Sequence, residues 1–249
     1  MSSILIAAGR ALRSLTEPGV LWHLLWPALL SALVWVVLGA LFIDDLAAAG
    51  EALLPGLPLL GKWFVAGGAW AHLAVSGLLQ ILLWLLLLPL IYASALLLIA
   101  TVALPLMLER VSARDYAGLQ RRAGGSQWGS LRTSLQAALS FIVLLLLSLP
   151  LWLIPGAGLV ISVLLSARLN QRCFSYDALM NHADADELVL LPQRCKTDLR
   201  LLGICAGVLA FVPVLNFVVP AWSGLSFVHY LLEALRRERA RPLKDIPQE

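Results

Sequence analysis

An all-α integral membrane protein is the fold class this sequence predicts: two long transmembrane helices, two re-entrant helical hairpins that dip part-way into the bilayer, and an N-terminal amphipathic helix. Three observations predict it. The 249 residues are 60% hydrophobic and 13% charged, with a mean hydropathy of +0.87, whereas a soluble domain is about 45–50% apolar and about 25% charged. The 18 Lys and Arg residues gather in a few short connectors. Two apolar stretches, "LIPGAGLVI" and "FVPVLNFVV", are each broken near the middle by a proline and a turn-forming Gly or Asn. No polar linker divides the chain, so residues 1–249 are expected as a single membrane domain.

Residues 1–17 come first. Ile4, Leu5, Ala8, Leu12 and Leu15 fall near helical spacing, with Arg10 and Arg13 elsewhere on the wheel. This predicts a short helix lying on the membrane surface. Its basic residues follow the apolar patch instead of preceding it, and no clear cleavage site is present, so a cleavable signal is not expected. Residues 20–43 then make the first crossing, since positions 20–42 hold no Asp, Glu, Lys or Arg and a crossing takes about 20 apolar residues. Asp44, Asp45, Glu51 and Lys62 are expected in the connector that follows.

Residues 64–108 return the chain. They carry no formal charge before Glu109 mid-connector and would reach about 67 Å as a helix, more than one crossing needs. Gly67–Gly68 is expected to break off an interfacial piece flanked by Trp63 and Trp70. Pro89 is expected to kink the crossing and Pro105 to end it. Because Lys and Arg are retained in excess on the cytoplasmic side, the arrangement of 17 of the 18 in four other places puts both termini there. Only Lys62 remains, with residues of about 44–62 outside.

Residues 133–167 and 201–232 each begin and end among cytoplasmic basic residues. Each is therefore a pair of crossings or a hairpin that enters and returns. Only short apolar arms, residues 157–167 and 201–212, border the breaks, about half of a crossing. Pro155, Gly156, Gly158, Pro213 and Asn216 are thus expected at the tips of two hairpins. Irregular backbone at membrane depth is tolerated only where protein or a watery cavity surrounds it. Asn216 is expected to cap a helix there or to line a pore. Residues 233–249 form a cytoplasmic tail.

The connector "ERVSARDYAGLQRRAGGSQWGS" matches no phosphate-binding glycine loop. Its Glu109, Arg110 and Arg114 either line a cytoplasmic vestibule or bind anionic lipid headgroups. The acidic stretch "FSYDALMNHADADE" fits no calcium loop and reads as solvated helices. Cys173, Cys195 and Cys205 form no CxxC, and His23, His72, His182 and His229 are scattered. No metal, no cofactor and no disulfide is expected. Nothing resembles a catalytic triad or a paired-carboxylate site, so no catalytic residues are expected. The basic residues lack interleaved aromatics, so nucleic acid is not an expected partner either.

The segments "TEPGVLWHLLWPALL", "PLWLIPGAGLVISVLLSA", "YDAL" and "FVPVLNFVVPAWSGLSFVHY" together resemble the CysZ family of bacterial inner-membrane sulfate permeases, grouped with the eukaryotic etoposide-induced membrane proteins. The resemblance covers about residues 4–239. It implies an all-helical fold with two long transmembrane helices and two part-way hairpins, a homo-oligomer, both termini cytoplasmic, and channel-like sulfate uptake without ATP hydrolysis. It also implies an oxyanion site at the start of the first crossing, where sulfate-active members resemble "PGIRR". Here the stretch is Pro18-Gly19-Val20-Leu21-Trp22, so Leu21 and Trp22 stand at or near the arginine positions. The candidate anion-binding residues are then Gly19, Val20 and Leu21 through their backbone N–H groups, with His23 as a further donor. Weak or absent sulfate binding is expected from such a site. The alternative is a membrane scaffold or assembly factor that keeps the fold without transporting.

Overall fold

A computed structural model describes residues 2–56 and 66–240. Helices are the regular structure of the described residues, with no strand among them. Lys62, Trp63, Arg241 and Lys244 lie outside the described residues, as does the end of the expected tail. The stretch expected as one membrane domain forms two compact units: residues 25–99, and residues up to 24 together with those from 100 onward.

Helix α1 spans Ser2–Leu15 and α2 spans Pro18–Leu53. Pro18 opens α2 at a position where a missing N–H costs nothing and a fixed φ helps. The helix is 36 residues long, about 54 Å, so it runs past the crossing expected over residues 20–43. Asp44, Asp45 and Glu51 therefore stand on its last turns and not in a connector. Helix α3, Gly68–Leu98, passes through a π-helical turn, Ile99–Ala103, into α4, Leu104–Asp115. Pro105 does not end the helix. The preceding wide turn absorbs the lost hydrogen bond and the ring clash, and α4 continues seven residues beyond the expected boundary.

Within the unit of residues 25–99, α2 and α3 pack through small side chains. A carbon added at Gly39 would meet the Leu87 side chain at 2.7 Å, and one at Gly50 would meet Leu79 at 3.3 Å. Such small residues let apolar helices approach closely in lipid. Ser31 donates to the Ile91 carbonyl at 3.0 Å and also touches Ser94, while the Trp35 indole donates to Ser94 Oγ at 3.0 Å. Near the far end of α2, Gln80 donates to Asp44 at 2.9 Å, and His72 lies 3.6 Å from Glu51. Outward positions such as Leu33, Leu41, Leu73 and Leu88 are bare. The apolar surface faces outward, as lipid as solvent requires.

In the other unit, α5 (Gln127–Ser148) continues as a 3₁₀ turn (Leu149–Leu153) and α6 returns over Ala157–Leu179. Helices α7 (Ala185–Arg194) and α8 (Lys196–Leu209) follow, then a short α9 (Pro213–Asn216) and α10 (Val219–Ala240). The core of this unit is α10, which packs on α1, α4, α6 and α8. Every residue from Ala221 to Leu232 is buried. Helix α1 lays Ile4, Ala7, Ala11 and Leu15 against α10 and leaves Leu5, Ile6 and Leu12 exposed. The expected apolar stripe is thus split between a protein-facing row and an outward row.

Three helical stretches are long and apolar enough to cross a membrane: Pro18–Gly56, Gly68–Asp115 and Gln127–Leu153. The first two are the long helices the sequence predicts. The third falls largely in the stretch expected as the first part-way hairpin, and at 27 residues it adds a candidate span to the two long helices expected. Helix α8, at 14 residues, extends about 21 Å, short of the roughly 30 Å hydrocarbon core.

Candidate functional site

The start of α2 is built from residues of one compact unit. Glu17 contributes its carbonyl to two amides, Val20 N–H at 3.0 Å and Leu21 N–H at 2.8 Å. Two of the backbone donors that the sequence offered for an anion are therefore occupied. The Val20 side chain is buried, whereas Leu21 and Trp22 are exposed. His23 folds back, its Nδ1 2.5 Å from the Gly19 carbonyl, and so does not point a donor beyond the helix end. The Gly19 N–H remains at the open end of the helix, where no preceding turn supplies an acceptor.

A cation reaches this end from α4. The Arg110 guanidinium lies against Gly19, so close that a carbon added there would come within 2.9 Å of its Nε and nearer still to its Nη2. Glycine permits this close approach; an added carbon would have to displace the flexible end of Arg110 and would meet no unusual φ. Arg110 forms no ion pair with any described residue. One turn on, Arg114 binds Glu17 and also holds Asp115 through paired contacts at 2.6 and 2.9 Å. Of the three expected vestibule residues, the structure brings Arg110 and Arg114 to the α2 start. Glu109 turns elsewhere, 4.0 Å from Arg121, onto a cavity of about 260 Å³ shared with Ser130, Asp177 and His182.

Beside Arg114 opens a polar cleft of about 560 Å³. Arg10, Arg13, Arg114 and Arg236 line it against two carboxylates, Glu17 and Asp115. Its floor is a buried hydrogen-bonded group. His229 Nε2 lies 3.0 Å from Ser14 Oγ, His229 Nδ1 lies 3.2 Å from the Tyr116 hydroxyl, and that hydroxyl donates to the His229 carbonyl at 3.0 Å. The sequence reading of His229 as a packed histidine agrees with this burial. Its partners come from α1 and from the residue after α4, and no local pattern announces them.

Both breaks form tight turns. At the first, Ile154 N–H donates to Leu151 and Ala157 N–H to Ile154, each at 3.1 Å. Gly156 adopts φ +82°, which only glycine takes without strain. A carbon on Gly158 would meet the Trp152 ring at 3.1 Å. Pro155 lies between these turns. At the second, Val212 precedes Pro213 in an extended conformation, as a residue before proline prefers. Asn216 N–H donates to the Val212 carbonyl at 2.8 Å, and its side chain is half-buried. Leu153, Ile154, Phe211, Val212 and Leu215 are exposed at the tips.

The connector and the acidic stretch close on each other. Amides of Arg122, Ala123, Gly124 and Gly125 donate to carbonyls of residues 180–183. A carbon on Gly124 would collide with the Asp184 backbone, so the glycine pair serves a loop-to-loop approach. Asp184 and Glu187 form a reciprocal capping box on α7, a D-x-x-E signal that the sequence does contain. Arg239 grips Glu187 at 2.8 and 2.6 Å and also donates to the carbonyls of Gln120 and His182, each at 2.8 Å. That guanidinium holds the Glu187 carboxyl below its usual range against a desolvation penalty. Burial pushes Asp177 the other way, upward, with Ser130 opposing.

A protein-family model described as sulfate transporter CysZ/etoposide-induced protein 2.4 matches residues 7–220. No curated protein and no solved structure matches the chain.

Proposed function

The chain belongs to the family of the sulfate transporter CysZ and etoposide-induced protein 2.4, and we propose on that footing that it is a channel-like permease for a small inorganic anion, with sulfate as the substrate. It works in the bacterial inner membrane as a homo-oligomer, with both termini cytoplasmic.

The observation that carries this reading is Arg110 against Gly19. An open helix start offers an amide and a partial positive charge. A guanidinium beside it adds forked donors suited to an oxyanion. Arg110 thus supplies from α4 part of what Leu21 and Trp22 lack. The neighbouring cleft, with four guanidiniums against two carboxylates, raises the local anion concentration on the approach. A single guanidinium gives weaker binding than a tandem pair.

The short α8 supports a second hairpin that enters and returns. Its charged first turn leaves residues 201–209 as the apolar part, about 13 Å of helix. In the first hairpin, Arg168 follows the Gly156 turn within the return arm, which favours the same part-way path. Exposed apolar tips with irregular backbone need neighbours in lipid, and copies of the chain provide them.

The test is sulfate titration at low ionic strength against the purified protein, Arg110→Gln and Gly19→Ala, with labelled sulfate flux into proteoliposomes. Arg110→Gln is expected to weaken binding about tenfold or more, since a hydrogen bond to a charged group contributes roughly 1.5–3 kcal/mol. Gly19→Ala is expected to do nearly the same by pushing the guanidinium aside. Equal binding by all three removes the site. A second reading, a non-transporting scaffold, is favoured by Leu21 and Trp22 in place of tandem arginines. Absence of flux in the unmodified protein, with the fold intact, decides for it.

A further inference from the structure

Helix α6 carries Arg168 and Arg172 one turn apart, and α8 carries Lys196 and Arg200 one turn apart. The two helices approach closely because two glycines remove their side chains. A carbon on Gly203 would lie 2.8 Å from the Ala167 carbonyl, and one on Gly207 would lie 3.3 Å from Val163. This crossing sets the two basic rows around one cleft of about 440 Å³. Leu144, Leu164 and Ile204 continue its wall.

No carboxylate lines this cleft, and none of the four cations forms an ion pair with a described residue. The nearby acids are engaged elsewhere. The Tyr230 hydroxyl donates to Asp198 at 2.5 Å, Asp177 accepts from Ser130, and Glu238 pairs with Arg194. A second pocket adjoins and shares Gln171, Arg172 and Lys196. It is lined by Ser175, whose hydroxyl is buried without a partner. Four uncompensated cations and an idle buried hydroxyl call for an external polyanion with acceptor oxygens. The apolar wall calls for hydrocarbon attached to it.

We propose that this cleft binds an acidic phospholipid, its phosphates held by Arg168, Arg172, Lys196 and Arg200 and its acyl chains laid along Leu144, Leu164 and Ile204. Cationic clusters at a membrane border recognise anionic headgroups by charge, and guanidiniums match phosphate oxygens two at a time. With four cations facing it, a headgroup with two phosphates binds more tightly than one with a single phosphate. Zwitterionic lipid binds least. The site is separate from Gly19 and Arg110, and it holds whether or not sulfate is transported.

Native mass spectrometry of the detergent-solubilised protein, titrated with diphosphatidylglycerol, phosphatidylglycerol and phosphatidylethanolamine, tests it. The Arg168→Gln/Arg172→Gln/Arg200→Gln variant is expected to weaken the diphosphatidylglycerol adduct by at least about tenfold. A control with equal charge loss, Arg121→Gln/Arg132→Gln/Arg237→Gln, is expected to leave it within about twofold. The three cleft arginines are exposed, so folding survives their loss, and single Arg200→Gln provides a milder version with a smaller loss in the same direction. Inorganic phosphate in large excess is expected to leave the adduct in place. Equal loss in both triple variants, or no loss in either, overturns the proposal. Displacement by inorganic phosphate alone assigns the cleft to a free anion and overturns it as well.

Discussion

Arg239 shows how much one side chain can hold together near the end of α10. Its guanidinium is largely buried, it binds both oxygens of Glu187, and it satisfies two carbonyls of other loops. Arg239→Ala leaves Glu187 and the His182 carbonyl without this partner and is expected to cost about 2–4 kcal/mol, read as a lowered melting temperature at neutral pH. The Glu187 pKa is depressed from 4.5 in the folded protein. Its contribution is therefore complete above about pH 4.5 and fades as pH falls through the lower, folded value. Glu187→Gln is expected to flatten the acid limb of a stability-against-pH curve; an unchanged limb removes Glu187 as its source. The sequence made Arg110 and Arg114 legible as vestibule candidates, and Gly19 as a candidate helix start. Their meeting was not legible, because Arg110 and Gly19 come from separate stretches and a single chain carries no signal that couples them.

At the scale of elements, the charged residues do not mark the helix ends. Arg168 and Arg172 sit inside α6, and Arg110 and Arg114 sit inside α4. A helix that leaves lipid keeps its backbone hydrogen bonds in water, so it has no reason to stop at the first cation. The prolines were legible in a different degree. Pro155 and Pro213 fall at turns because glycine or an extended neighbour accompanies them. Pro89 stays within α3 and Pro105 within α4. Gly156 offers a clean test of the first turn. Nothing lies within 4 Å of an added carbon, yet φ is +82°, so Gly156→Ala meets backbone strain alone. It is expected to cost about 1–2 kcal/mol, and Gly156→Asn less, since Asn tolerates this region. Equal stability of all three proteins in a detergent melt would mean that the tip relaxes freely.

For the whole molecule, the membrane class was legible in composition, and the arginines supply an expected crossing parity that labelling checks. The split into two compact units was not, because both run through continuous helices and no change in composition marks the division. Topology follows from the proposed orientation and is checked by labelling. In a background without the three native cysteines, Glu51→Cys is expected to react with an impermeant thiol reagent from outside, and Ala185→Cys is expected not to. Leu215→Cys at the second tip is expected to react far less than Glu51→Cys. Outside labelling of Ala185→Cys reverses the parity, and full labelling of Leu215→Cys makes the second hairpin a pair of crossings.

The docking of α1 on α10 has a consequence for how the chain is made. Ser14 meets His229 across a separation of 215 residues, and Arg10 meets Glu233. A ribosome adding about 5–20 residues per second takes roughly 10–40 seconds to cover that distance. For that interval α1 has no final partner, and its second apolar row, Leu5, Ile6 and Leu12, gives it a place to wait on the bilayer surface. A helix translated early is therefore among the last to reach its final position, because this docking waits until α10 has left the ribosome.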